Sequence, residues 1–393
     1  MSVAAPQVIT LGCRMNMAES ARIAALVAGD PDLVVVNSCA VTNEAVRQTR
    51  QTIRRLRRDR PGARLLVTGC AAETDRAALA AMPEVDGLIA NNAKLDARAW
   101  NVPHPPVLAA RSGTRAFVAV QNGCDHACTF CIIPAGRGPS RSVAVADVLR
   151  EVEQHLALGA PEVVLTGVDL TSWGHDLPGA PRLGVLVAAL LVEFPTFTRL
   201  RLSSLDGVEI DGQLFEQIAG DPRIMPHIHL SLQHGDDLIL KRMKRRHLRA
   251  DAVELVTQLA KARPEIAFGA DLIAGFPTED ETMHQANLSL INQLALVHGH
   301  IFPYSPRIGT PAARMPQVAP ATIRRRAQEL RAAVSAQRTD WLATKLGVAH
   351  SVLAERDGFG YTPDFARVAL PPGTAPGTLV DIIPQRIDQG ILA

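Results

Sequence analysis

Residues 121–134 read QNGCDHACTFCIIP, and they follow directly on a short apolar run, Ala116–Gln121. Cys124, Cys128 and Cys131 therefore lie on one tight loop after a strand, in a C-x-x-x-C-x-x-C spacing. Three thiolates on such a loop can hold three irons of a four-iron, four-sulfur cluster and leave the fourth iron open. An open iron can chelate the amino and carboxylate groups of S-adenosylmethionine, and an electron delivered there can cleave the sulfonium to a deoxyadenosyl radical. The plainer alternative is zinc held by the three cysteines with His126 or a distant fourth ligand. Structural zinc normally takes paired ligand clusters, and no second C-x-x-C occurs in the chain.

On its C-terminal side the loop opens a long series in which strands alternate with helices. Strands are predicted at Ala116–Gln121, Glu162–Thr166, Leu200–Ser203, His227–Leu232, Ala267–Ile273 and His298–Pro303, with amphipathic stretches between them. Six β/α units imply a partial (β/α)6 barrel with functional residues at the C-terminal ends of its strands. Gly167 and Asp169, Ser203 and Ser204, Gln233, Arg245, Ile273 and Gly275 occupy such positions and are candidate cofactor contacts. Each has a plainer reading as a turn or helix cap. The basic run Lys241, Arg242, Lys244, Arg245, Arg246 is either a solvated helix face or, beside the expected active-site mouth, a phosphate-binding patch.

Upstream, Val8–Leu11, Leu33–Asn37, Leu65–Thr68 and Leu88–Ala90 alternate with helical stripes at Met17–Ala28 and Ala45–Leu56. This reads as a doubly wound parallel α/β domain. Cys13, Cys39 and Cys70 each follow a strand end (LGC, NSC, TGC), and strand carboxyl ends form the ligand crevice of such a sheet. Three buried structural cysteines are the alternative. On a separate domain, these thiols are expected to fold independently of the barrel loop. Asn101–Arg115 is Pro-rich and reads as a linker, and the Gly- and Pro-rich stretch from Gly347 onward reads as a small β-barrel. The expected domains are thus 1–105, 112–346 and 347–393.

The 393 residues are 47% hydrophobic and 20% charged, which excludes a disordered chain. A net charge of +2 and an aromatic content of 4% give no global signature of nucleic-acid binding, so any such contact must come from local basic patches. There is no signal-like segment and no apolar run long enough to cross a bilayer. A cytoplasmic location is expected, where six cysteines serve metal ligation better than disulfides.

Over nearly its whole length the chain resembles the methylthiotransferase family of radical S-adenosylmethionine enzymes. TLGCRMNMAES, VVVNSCAVTNEAVRQTRQTIRR and LLVTGCAAE look like that family's three N-terminal cysteine motifs. GCDHACTFCIIPAGRGPSRS looks like its radical motif, with a trailing RG-x-x-R segment, and RLRLSSLDGVEI, DLIAGFPTEDE and FPYSPRIGTPAARMPQV look like its later motifs. The resemblance implies two 4Fe-4S clusters, on Cys13/Cys39/Cys70 and Cys124/Cys128/Cys131, two molecules of S-adenosylmethionine per turnover, and a C-terminal TRAM domain. It implies as partners a tRNA anticodon stem-loop, an electron donor of flavodoxin or ferredoxin type and a sulfur source. The SSLD-x-VEID and FPYSPR-x-GTPAARMPQ segments are most similar to the branch acting on N6-threonylcarbamoyladenosine at position 37 of tRNA. The other branches act on isopentenyladenosine in tRNA or on an aspartate of a ribosomal protein, and a non-catalytic RNA-binding metal scaffold is the alternative outside the enzymes.

Overall fold

A computed structural model describes residues 6–102 and 113–393. Most of the expected linker, and the domain limits at 105 and 112, lie outside the described residues. The N-terminal strands β1 (Gln7–Thr10), β2 (Leu33–Ser38), β3 (Arg64–Gly69) and β4 (Gly87–Leu88) form one parallel sheet in that order. β2 is a run of three valines in LVVVNS, buried throughout, as a strand covered on both faces must be. Its Val34 and Val36 pack with α2 (Asn43–Asp59) through Val46, Ile53 and Leu56. Its Leu33 and Val35 pack instead with α1 (Arg14–Leu26) and Trp100. The α2 helix starts where Thr42 accepts the amide hydrogen of Ala45, and it carries Glu44 in its first turn and Arg57 and Arg58 in its last, as the helix dipole favours. The α1 helix begins three residues earlier than the apolar periodicity indicates, so Cys13 becomes its N-cap. The short helices α3 (Cys70–Thr74) and α4 (Arg76–Ala80) follow β3.

The second series comprises β5 (Ala116–Ala119), short strands β6 (Gln121–Asn122) and β7 (Arg141–Ser142) on either side of the cysteine loop, then β8 (Val163–Thr166), β9 (Leu200–Leu202), β10 (His227–Gln233), β11 (Ala267–Ala274) and β12 (His298–Pro303). Helix α5 (Ile133–Arg137) lies within the loop. The connecting helices are α6 (Val145–Ala157), α7 (Leu183–Glu193), α8 (Gly212–Gly220), α9 (Asp237–Met243), α10 (Arg249–Ala262) and α11 (Glu281–Gln293), and α12 (Pro320–Ala343) follows β12. β5, β8 and β9 form one parallel sheet and β10, β11 and β12 another, joined by a bridge between Leu205 and Leu230. The six strands thus run in sequence order, as the sequence predicts. Leu165, Leu200, Leu202, Ile228, Leu230, Phe268, Ala270 and Leu272 point to the helices and make the main core. Alternation sends Arg201, His229, Ser231, Gln233 and Asp271 to the other face.

The C-terminal strands β13 (His350–Ala354), β14 (Phe359–Tyr361), β15 (Arg367–Ala369), β16 (Leu379–Ile382), β17 (Ile387–Asp388) and β18 (Ile391–Leu392) form a six-stranded, largely antiparallel sheet. It packs at the N-terminal ends of the parallel strands. Phe365 stacks on His227 with ring centroids 5.1 Å apart and lies under the Arg201 guanidinium at 4.6 Å. Arg201 and Arg115 converge on buried Glu162, each with Nε at 2.9 Å.

Two compact units emerge, and they cut across the sequence segments. One holds Met1–Ser112 (described from 6 to 102), Gln121–Arg141 and Ser305–Ala313; the other holds Gly113–Val120, Ser142–Tyr304 and Arg314–Ala393. All six cysteines fall in the first.

Candidate metal centres

Glycine precedes both Cys13 and Cys70, and the structure shows why. Gly69 sits at φ +90°, and a Cβ there would lie 2.4 Å from the Ser38 carbonyl oxygen. Gly12 sits at φ +106°, and a Cβ there would lie 2.8 Å from Cys39 Cβ and 3.1 Å from its sulfur. Both conformations are ones that L side chains avoid. The ends of β1, β2 and β3 therefore close on one another, and the three cysteines share one rim. None of the six cysteines is in a disulfide. Cys39 and Cys70 are buried and Cys13 is exposed, with its thiol 3.7 Å from Asn16 Oδ1. Cys124, Cys128 and Cys131 are half-buried. Their loop is held by Cys124 N–H donating to the Gly138 carbonyl at 3.2 Å and by Ser140 N–H donating to Asp125 Oδ1 at 3.0 Å.

The two sets meet at α5. A Cβ on Gly136 would lie 3.3 Å from Cys70 Cβ, so only glycine allows this approach without displacement. The next residue, Arg137, donates from Nη1 to Glu19 Oε1 and Asn122 Oδ1, both at 2.8 Å, and from Nη2 to Asn16 Oδ1 at 2.5 Å and Glu19 Oε2 at 3.1 Å. Lys94 Nζ donates to Glu19 Oε2 at 2.5 Å and faces Asn37 Oδ1 at 3.4 Å. Asn37 donates to the Asn16 carbonyl at 3.1 Å, and Asn16 donates to the carbonyls of Leu11 and Ser38 at 2.7 and 3.0 Å. The ring Arg137–Asn16–Asn37–Lys94–Glu19 is closed and buried: the Lys94, Glu19 and Arg137 side chains are 1, 1 and 2% exposed. Sequence reading did not find Glu19 or Lys94 as functional residues. The only available signal was Arg137, inside the RG-x-x-R segment that trails the three cysteines.

Two basic side chains, Arg137 and Lys94, share one buried carboxylate. Burial opposes ionisation of Glu19, but Lys94 and Arg137 outweigh it and hold the carboxyl below its usual range. Burial, with Arg137 nearby, pushes the Lys94 ammonium down, and Glu19 only partly offsets this. Burial likewise pushes the Cys39 and Cys70 thiols up, while Arg137 pulls both back. Basic groups buried with a single carboxylate between them would be stabilised by an anionic group at the three sulfurs. A cluster bound through three thiolates is such a group, and a coordinated thiol is deprotonated outright. The donor set fits it.

In the second unit, several predicted positions come together at the strand C-terminal ends. Ser204 Oγ lies 2.8 Å from Ser231 Oγ and 3.4 Å from Asp271 Oδ2. The Ser203 hydroxyl is buried with no hydrogen-bond partner among the described residues. Gln233 follows a bulge in the β10–β11 register and takes φ +71°, unusual for a non-glycine residue. Arg245 donates to Asp206 Oδ2 at 2.9 Å and to the Ser231 carbonyl at 2.7 Å. Arg246 donates to Glu209 Oε1 at 2.6 Å and Asp206 Oδ2 at 3.1 Å, and the Ser172 hydroxyl lies 2.7 Å from Asp169 Oδ2 and 3.2 Å from Glu209 Oε2. Asp169 and Arg245 thus belong to one polar chain, with Gly167 two residues before Asp169 at the end of β8. Gly275 donates its amide to Glu279 Oε2 at 2.8 Å, and Ile273 offers its carbonyl to Asn287 at 3.3 Å. Arg242 turns to the Thr278 carbonyl at 3.4 Å. Lys241 and Lys244 are exposed and make no ion pair among the described residues.

Comparison with known proteins follows the sequence segments. Residues 118–290 match the Radical SAM superfamily, and residues 6–90 match the Uncharacterized protein family UPF0004. Threonylcarbamoyladenosine tRNA methylthiotransferase MtaB of Rickettsia prowazekii (strain Madrid E) is 42% identical over 93% of this chain and 91% of its own length. The tRNA-2-methylthio-N(6)-dimethylallyladenosine synthase of Paracoccus denitrificans (strain Pd 1222) is 30% identical over 89% of this chain and 85% of its own. Among solved structures, the radical S-adenosylmethionine methyltransferase TsrM from Kitasatospora setae aligns with a TM-score of 0.54 and 18% identity, covering 76% of this chain and 67% of its own, which is a likeness of fold.

Proposed function

Because the chain belongs to the methylthiotransferase family of radical S-adenosylmethionine enzymes, we propose that it converts N6-threonylcarbamoyladenosine at position 37 of tRNA to its 2-methylthio derivative. It is a transferase that uses S-adenosylmethionine and 4Fe-4S clusters. The substrate rests on the 42% identity to a threonylcarbamoyladenosine tRNA methylthiotransferase, against 30% to the dimethylallyladenosine enzyme. One observation carries the chemistry: six cysteines in two sets of three within one compact unit, with Arg137 and Lys94 buried on one carboxylate beside one set.

Cys124, Cys128 and Cys131 would hold the cluster that, with S-adenosylmethionine bound, supplies a carbon-centred radical. Cys13, Cys39 and Cys70 would hold the second cluster, the site of sulfur. The chain's own residues bind and orient. Gly167 and Asp169 would take the methionyl amine, while Ser203, Ser204, Gln233 and Arg245, with the backbone at Ile273 and Gly275, would enclose the rest of the cofactor. Ser203 offers an unengaged hydroxyl for that role. Lys241, Arg242, Lys244 and Arg246 would meet the anticodon stem-loop. Lys241 and Lys244 are the better placed for it, because Arg246 is already committed to Asp206 and Glu209. We assign 1–105 to the methylthiotransferase domain, 112–346 to the radical domain and 347–393 to a TRAM-like RNA-binding module. A flavodoxin- or ferredoxin-type electron donor, a sulfur source and a cytoplasmic setting complete the reading. No helix among the described residues is long and apolar enough to cross a membrane.

The test is mass spectrometry of tRNA nucleosides from a deletion strain. The 2-methylthio derivative should vanish while N6-threonylcarbamoyladenosine accumulates. Loss of the isopentenyl derivative instead would overturn the substrate.

A further inference from the structure

The loop that carries one set of cysteines delivers a cation to the other. Arg137 stands six residues after Cys131, yet its guanidinium is paired with Glu19 and Asn16, and Asn16 lies against the Cys13 thiol. We propose that Arg137 is a positioning residue of the Cys13/Cys39/Cys70 centre and that the Arg137–Glu19 pair sets the reduction potential of that centre. This rests on the reading that these three cysteines hold a cluster.

The effect is electrostatic. At 2% side-chain exposure, Arg137 lies where salt and water screen poorly, so its charge acts on its neighbours with less screening than a surface charge. Four hydrogen bonds on two nitrogens fix the guanidinium plane, and Gly136 against Cys70 fixes its approach. Net charge and burial are among the levers that set a cluster's potential. A fixed cation favours the more negative, reduced state, and the Glu19 carboxylate acts in the opposite sense. Lys94 closes the pair from the other side and limits the swing of Glu19. Because Arg137 rides on the loop of Cys124, Cys128 and Cys131, the electrostatics of one centre depend on the placement of the other.

The experiment is an anaerobic redox titration, followed by electron paramagnetic resonance, of the full chain reconstituted with iron and sulfide. The signal to follow is the one that survives when Cys124, Cys128 and Cys131 are replaced by alanine. Arg137→Gln should move that midpoint to more negative potential, by about tenfold in the reduction equilibrium or about 59 mV for one electron. Glu19→Gln should move it the opposite way, and Arg137→Lys should stay near the parent. Shifts of opposite sign are a signature that a purely structural contact would not produce. If Arg137→Gln cannot hold iron, the direction seen in Glu19→Gln decides alone. No shift, or shifts of the same sign, would overturn the proposal. So would loss of iron from Arg137→Lys, or from both neutral variants, because the pair would then only hold the site together. Absence of a second cluster in the unmutated chain would instead refute the underlying reading, and iron analysis shows that before any variant is made.

Discussion

The two cysteine sets solve the same problem in opposite ways. Cys124, Cys128 and Cys131 are brought together by spacing, since eight consecutive residues on one loop suffice. Cys13, Cys39 and Cys70 are brought together by a sheet, and their convergence depends on Gly12 and Gly69 in left-handed conformations and on a buried polar ring. A site made by spacing tolerates change elsewhere, whereas a site made by a fold inherits every weakness of that fold. The difference can be tested by damaging each set in turn.

The largest effect is expected from changing Cys124, Cys128 and Cys131 together to alanine. One cluster's worth of iron and all deoxyadenosine formation from S-adenosylmethionine should disappear, as measured by iron analysis and chromatography under reduction. Retained deoxyadenosine would place the radical chemistry elsewhere.

Changing Cys13, Cys39 and Cys70 to alanine should abolish methylthio-adenosine while leaving cleavage of S-adenosylmethionine. The expectation of independence, drawn from separate sequence segments, needs revision here. Gly136 abuts Cys70 and Arg137 belongs to the polar ring, so loss of the three thiols disturbs the packing that seats α5. Iron at the surviving loop should therefore fall partway, with uncoupled cleavage reduced in proportion. Product from the folded variant would mean that the three thiols only pack the sheet rim.

What could be read in the sequence follows the same divide. The six parallel strands were legible because short apolar or alternating runs are separated by helical stretches, and each observed strand falls within two residues of expectation. The strand-end glycines before Cys13 and Cys70 were also in plain view. The ion pairs were not. Lys94 meets Glu19 across 75 residues and Arg137 meets it across 118, and nothing local distinguishes a charge that will be buried from one that will be solvated. The partners of the basic run after β10 were hidden for the same reason. Asp206 and Glu209, arriving from the β9 side, take up Arg245 and Arg246. Likewise, a Gly- and Pro-rich C-terminal stretch does not reveal that Phe365 will sit on His227 and Arg201.

A control outside both cysteine sets isolates the contrast. Glu162 is buried among Arg201, Arg115 and Arg199 at the N-terminal ends of the parallel strands. Glu162→Gln should destabilise that unit by about 3–5 kcal/mol, because the arginines lose their counter-charge in a dry site. Iron content should not change. Burial opposes ionisation of Glu162, but Arg201 and then Arg115 and Arg199 outweigh it, so the folded value is depressed. The sign follows: the stabilisation is complete above the ordinary carboxyl value of 4.5 and is lost as pH falls through the depressed folded value. Denaturant melts between pH 7 and pH 3 should show the parent losing stability on acidification and the glutamine variant losing less.

The smallest effect concerns the surface, where neither cysteine set is touched. Lys241 and Lys244 are exposed without ion-pair partners among the described residues, whereas Arg246 at 42% side-chain exposure already serves two carboxylates. A lysine that neutralises a phosphate releases a counter-ion, so the salt dependence of binding reports how many phosphates are engaged. Replacing Lys241 and Lys244 by alanine should lower the slope of log K against log salt by about one for each phosphate left without its lysine, or about two in all. Arg246→Ala should change it less, because that guanidinium must leave Asp206 and Glu209 before it can meet a phosphate. Binding should be measured with the unmodified anticodon stem-loop and without reductant, so that turnover does not enter. Iron content and deoxyadenosine formation should match the parent in the Lys241 and Lys244 double variant. An unchanged slope in the double variant would make the run after β10 a solvated helix face, and a larger change from Arg246→Ala would mean that its acidic partners release it when RNA arrives.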